Sequence, residues 1–212
     1  NDQVSRALYF DPSPPFVDPR FAYIAPYYAQ AKRIAWSYLK RYASDAASKV
    51  AESDLSITIR HNKAIISLFG ADNPDTFRGL YFDGVILDEY GNMRPSIWSE
   101  VLLPTLIDRR GWATFIGTPN GPNHFRDMYL AALKEPERWF VDSLPVSRTR
   151  LIPDDELHEM KELMSEEEYL QEMECSFEAS SRGAFYAKEL TTAHIGEYPA
   201  DPSLLLHFVF DI

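Results

Sequence analysis

The sequence predicts an α/β domain, a mostly parallel sheet flanked by helices. Short β-branched and aromatic runs alternate with amphipathic stretches of helical period, the order from which parallel crossovers are built. Two of those runs, ending at Leu87 and Ile116, flank one helical stretch and so form a strand–helix–strand unit with both strand ends pointing the same way. With 212 residues, 45% of them hydrophobic, the chain is long enough to bury a proper core.

Taken in order, Pro12, Pro14 and Pro15 mark an early loop, residues 21–25 read as a strand and residues 28–42 as a helix. On that helix Ile34, Tyr38, Leu39 and Tyr42 are expected to pack on the sheet, leaving Lys32, Arg33, Lys40 and Arg41 solvated. The same four cations, set among Trp36, Tyr38 and Tyr42, are also the best candidates to meet a phosphate backbone. Residues 55–60 and 64–69 alternate as a hairpin turning at His61-Asn62-Lys63. An apolar strand ends at Leu87, and a helix over residues 95–107 carries Ile97, Trp98, Val101, Leu102 and Leu106 on one face. The run from Trp112 to Ile116 is the next strand, residues 123–134 are helical, and residues 139–146 alternate as a further strand. Two acidic helices fill residues 153–178, with Leu157, Met160 and Met164 on one apolar face and Tyr169, Leu170, Met173 and Phe177 on the next. Ser165, with Glu168 three residues on, forms a capping box between them.

Composition narrows the function. No stretch of eighteen apolar residues is present to span a membrane, and no secretory signal opens the chain. The lone Cys175 cannot form an internal disulfide and is expected as a buried helical thiol; His61, His124, His158, His194 and His207 show no metal-ligand spacing. The formal net charge of −11 looks wrong for a nucleic-acid partner. Its distribution changes that: residues 153–178 hold eleven acidic side chains and one lysine, while the rest carries twenty basic and twenty-one acidic groups. The acidic face is expected to be solvated, or to dock a basic partner.

The chemistry concentrates in Phe82-Asp83-Gly84-Val85-Ile86-Leu87-Asp88-Glu89-Tyr90. A buried strand tolerates the apolar part but not two carboxylates at its end, because desolvating an unpaired charge is costly. That conflict is resolved where a strand's carboxyl end opens onto a ligand crevice. The segment has the form of a Walker B element: Asp88 would hold a hydrated magnesium ion and Glu89 would polarise the water that attacks a nucleotide's terminal phosphate. A strand running into an acidic loop is the plain alternative. The parallel unit brings Thr118 and Asn120, in Gly117-Thr118-Pro119-Asn120-Gly121, to the same crevice. A hydroxyl and a carboxamide there can sense a γ-phosphate, as in additional-strand nucleotide motors; the alternative is a turn chosen for its backbone angles.

Together these residues resemble the large subunit of the viral (tailed bacteriophage) terminase, the motor that packages DNA into capsids. The resemblance runs through Tyr23-Ile24-Ala25-Pro26 and the helix after it, Asn73-Pro74-Asp75-Thr76-Phe77-Arg78-Gly79-Leu80, the Walker B segment, the Gly117–Gly121 turn, Glu174-Cys175-Ser176-Phe177 and Gly183-Ala184-Phe185-Tyr186. It implies a motor domain over residues 1–178, a linker over 179–203, and over 204–212 the first strand of a ribonuclease-H-like nuclease with Asp211 as a metal ligand (Mg or Mn). It further implies ATP and Mg as cofactors, and as partners double-stranded DNA, a portal protein, a terminase small subunit and a homo-oligomeric ring, all in the cytoplasm of the infected host cell. Arg78 would be an arginine finger, or else a structural ion pair with Asp83 or Asp75. One feature departs from the family: no glycine here is followed by lysine, so the phosphate loop is missing. The expectation is a middle piece of a larger protein, inactive alone. A superfamily 2 helicase-like ATPase, and a non-catalytic remnant or binding module, are the alternatives.

Overall fold

The computed structural model describes residues 2–10 and 18–178. Its centre is a six-stranded sheet of β1 (Arg20–Ala25), β2 (Ala47–Ala51), β3 (Ser56–Ile59), β4 (Ile65–Gly70), β5 (Gly84–Leu87) and β6 (Trp112–Phe115). The spatial order is β2-β3-β4-β1-β5-β6. Strands β4, β1, β5 and β6 run parallel, so the ends at Gly70, Ala25, Leu87 and Phe115 open on one edge. The expected hairpin is the antiparallel pair β3–β4, and β2, which no alternation announced, extends it antiparallel at the margin.

Successive residues of β1 serve opposite faces, as a two-residue period requires. Phe21, Ala25 and the half-buried Tyr23 join one apolar cluster with helices α1 (Asp2–Tyr9) and α2 (Tyr28–Ala43). Ala22 and Ile24 join a second with Val85, Leu87, Ile97, Leu102 and Leu106. That second layer contains a π-helical turn, Ile97–Leu102, which passes directly into α3 (Leu103–Ile107). The expected single helix is therefore wider in its first turns, and all five expected face residues lie inward. Helix α4 (His124–Leu133) begins at Asn123, whose side-chain oxygen accepts from the Phe125 and Arg126 amides.

Close approaches explain two glycines. A Cβ on Gly70 would lie 2.2 Å from the Tyr28 nitrogen, where Asp72 caps the start of α2 by accepting from that N–H at 3.2 Å. A Cβ on Gly84 would meet the Trp112 ring at 2.2 Å, so the tryptophan lies flat across its partner strand.

Four expectations change. Residues 139–145 alternate inward and outward, but no strand pairs with them among the described residues; alternation marks an extended chain, and a ladder needs a partner. Val146 instead opens the short helix α5 (Val146–Thr149). On α2 the buried set is Ala31, Trp36, Leu39 and Ala43, while Ile34, Tyr38 and Tyr42 are 43%, 57% and 49% exposed. The small alanines permit close approach to the sheet, and the Trp36 indole donates to Glu52 at 2.7 Å, which rotates the helix away from the tyrosines. Cys175 lies beyond the acidic helices α6 (Asp154–Leu163) and α7 (Glu166–Glu172), half-buried with φ 55°. Asp83 pairs with Arg109, not with Arg78. The Ser165–Glu168 capping box is present in both directions. The expected linker, the nuclease strand and Asp211 fall outside the described residues.

Candidate functional site

The β5 ladder continues one residue past the strand, because the Asp88 N–H donates to the Ile24 carbonyl at 2.8 Å. Glu89 then turns the chain sharply. Its φ of 55° and ψ of 43° are left-handed, a conformation that costs a residue with a Cβ about 1–2 kcal/mol. The surrounding backbone enforces it. Tyr90 N–H donates to the Ile116 carbonyl at 3.0 Å, and Asn92 N–H returns to the Glu89 carbonyl at 2.9 Å. Gly117 lies alongside, where a Cβ would sit in ordinary contact, 3.4 Å from the Glu89 Cα. Tyr90 is buried under Phe115, His124 and Phe125, with ring centroids 4.8, 4.7 and 5.9 Å away, and burial pushes its hydroxyl up to about 12.

The two carboxylates thus emerge from a braced turn at the open edge of the sheet. Burial raises the Glu89 carboxyl above its ordinary range, and the negative charge of Asp88 beside it adds to the effect. The Thr118 backbone amide opposes the shift, and Glu172 on α7 adds a further push upward. Asp88 accepts a hydrogen bond from the Tyr23 hydroxyl. Burial, and then the Asp88 carboxylate, raise the Tyr23 hydroxyl well above its usual range, so it stays a donor.

Thr118 is half-buried beside Glu89, and Asn120 is exposed, its amide 3.5 Å from the Asn92 side-chain oxygen. Asn123 ties this turn together: besides capping α4, its Nδ2 donates to the Asn120 carbonyl at 3.2 Å and to the Gly91 carbonyl at 3.4 Å. Asp88, Glu89, Thr118 and Asn120 therefore share one cluster of turns. Arg78 does not reach it; its Nε donates to Asp75 at 2.6 Å, and its side chain is 83% exposed. The sequence assigned no role to Tyr23 or Asn123. Asn123 read only as a helix start, and Tyr23 as a strand residue in the Tyr23-Ile24-Ala25-Pro26 stretch that carries part of the resemblance.

Among the described residues no three His, Cys, Asp or Glu side chains converge to hold a metal. One carboxylate is nonetheless a fitting donor set for magnesium, which keeps several waters and binds through one or two carboxylates together with substrate phosphates.

Residues 6–192 match the family described as terminase large subunit, T4likevirus-type, N-terminal. The large terminase subunits of Thermus phage G20c and Thermus virus P23-45 are each 50% identical over 60 residues, which is 28% of this chain and 12% of theirs. The Thermus phage P74-26 large terminase ATPase domain is 27% identical with a TM-score of 0.56, covering 76% of this chain and 77% of that one. The large terminase of a second, thermophilic bacteriophage shares the fold at 17% identity and a TM-score of 0.62, over 83% of this chain and 44% of its own. Structures of that thermophilic phage protein include complexes with ADP and with ATP-gamma-S. The family match extends over most of the chain, and the shared α/β fold agrees with it: the chain belongs to the terminase large subunits, in their N-terminal domain.

Proposed function

We propose that this chain is the ATP-hydrolysing part of a motor that drives viral double-stranded DNA into a capsid. The observation that carries the reading is the Asp88–Glu89 pair at the carboxyl end of β5, with Glu89 held left-handed against the Gly117 turn that bears Thr118. Asp88 would hold a hydrated magnesium ion, which offsets charge on the nucleotide's phosphates. Glu89 takes the proton from the attacking water; its raised pKa brings it closer to neutrality, where a general base works best. Thr118 and Asn120 sense the phosphate, and Asn123 passes their position to α4. Arg78, on an exposed turn, completes the site of a neighbouring subunit in a ring. The phosphate-gripping loop and the nuclease, with Asp211 on its metal, would belong to the full-length large subunit; these 212 residues alone would not turn over ATP. The portal protein and the small subunit would be partners of the full-length protein.

The test is Glu89→Gln in the full-length subunit. The amide keeps the shape and loses the base, so turnover falls to background while nucleotide affinity stays near normal. Asp88→Asn instead weakens magnesium-dependent binding. Near-normal ATP hydrolysis by Glu89→Gln would overturn the proposal.

A further inference from the structure

Strands β1 and β5 are parallel neighbours, with Tyr23 opposite Ile86. Asp88 is two residues past Ile86, so it lies on the same sheet face as Tyr23, one diagonal step along. A tyrosine ring spans that step, and the hydroxyl donates to Asp88 Oδ2. Tyr23 packs against the cluster that holds Leu39 and Leu68 and lines, with Ala35 and Ile86, the apolar groove beside α2, surroundings that a phenylalanine would suit as well. The hydroxyl therefore has one evident partner, the carboxylate. Asp88 Oδ1 makes no hydrogen bond among the described residues.

We propose that Tyr23 is a positioning residue for the site: by occupying Oδ2 it fixes the Asp88 carboxylate and leaves Oδ1 to receive a hydrated divalent cation. The inference rests on the ATP-hydrolysis reading above and adds to it the residue that sets the geometry of the cation's ligand. A free aspartate spreads over several rotamers, with a broad terminal torsion. Holding it in one orientation before the cation arrives removes part of the ordering cost of binding. Partners that orient a metal-binding carboxylate are typically worth about 10–100-fold in metal affinity.

The experiment uses the full-length large subunit with Mn2+ as the probe, its binding followed by electron paramagnetic resonance in the presence of a non-hydrolysable ATP analogue. Tyr23→Phe should weaken Mn2+ binding about 10–100-fold with the melting temperature nearly unchanged. The Mg2+ concentration for half-maximal ATPase should rise by a similar factor, and the rate at saturating Mg2+ should recover. In an Asp88→Asn background the same substitution should add nothing, because it acts through that carboxylate. Tyr23→Met, which fills the space flexibly, gives a second measurement if the phenylalanine variant folds poorly, and should lose the same factor. Unchanged Mn2+ affinity, tighter Mn2+ binding, or an equal loss with Asp88→Asn already present would each overturn the inference. The underlying reading fails separately, when Glu89→Gln hydrolyses ATP normally.

Discussion

Asp83→Ala should be among the most damaging single substitutions in this domain, although Asp83 lies at the opposite end of β5 from Asp88. Asp83 is 3% exposed. Its Oδ1 accepts from Arg109 Nε at 3.0 Å, and its Oδ2 from Arg109 Nη2 at 3.1 Å and from the Arg20 backbone N–H at 2.8 Å. The Arg109 side chain is 6% exposed, and the Arg20 and Arg109 guanidinium groups lie 4.7 and 4.4 Å from the Tyr81 ring centroid. Removing the carboxylate takes the Asp83 ion pair from the buried Arg109 guanidinium and the side-chain acceptor from the Arg20 backbone N–H. Breaking a buried pair in this way costs about 3–5 kcal/mol. For a domain of this size that lowers the melting temperature by about 6–20 °C. Arg78→Ala is the control: its pair with Asp75 is 83% and 76% exposed, worth about 0–1 kcal/mol. Urea and thermal melts of the two variants, side by side, supply the measurement. The double replacement Asp83→Leu with Arg109→Met should recover most of the loss, since an apolar pair needs no desolvation of charge. Asp83→Ala melting within the error of Arg78→Ala, or a double variant no better than the single, would refute this assignment of the pair.

Three further outcomes follow from the site. Because Glu89 is raised in the fold, the folded state holds that proton more tightly than the unfolded chain, and this carboxyl costs stability as pH rises through and above the ordinary carboxylate range. Glu89→Gln should therefore melt higher than the parent near neutral pH, with the gap closing toward about pH 4; a gap that widens on acidification would contradict the raised carboxyl. Replacing Thr118 and Asn120 should reduce DNA packaging by the full-length motor much further than ATP hydrolysis, and equal loss of both would mark a purely structural turn. Arg78→Ala subunits, inactive alone, should regain activity when mixed with Glu89→Gln subunits, because both defects can then fall in one composite site and leave the adjoining site intact. An arginine finger is worth about 10³–10⁵ in rate, so the rescue is measurable in steady-state ATPase.

The features legible in the chain itself are those made by near neighbours. The apolar runs, the crossover unit, the carboxylates at a strand end and the Ser165–Glu168 box all follow from periods and spacings of a few residues. Wherever a partner had to come from far along the chain, folding settled the outcome. Tyr23 meets Asp88 across sixty-five positions because β1 is inserted between β4 and β5, an adjacency that no local pattern encodes. Asp83 finds Arg109 twenty-six residues on, rather than the nearer Arg78, because the end of the crossover helix returns to the amino edge of β5. The alternating segment after Trp139 stays unpaired for the complementary reason: period two sets which way side chains point, but only a neighbouring backbone makes a strand. The left-handed turn at Glu89 is the sharpest case. Two adjacent carboxylates are visible in the sequence, whereas the Ile116 carbonyl and the Gly117 backbone that hold Glu89 there arrive only when β6 pairs with β5.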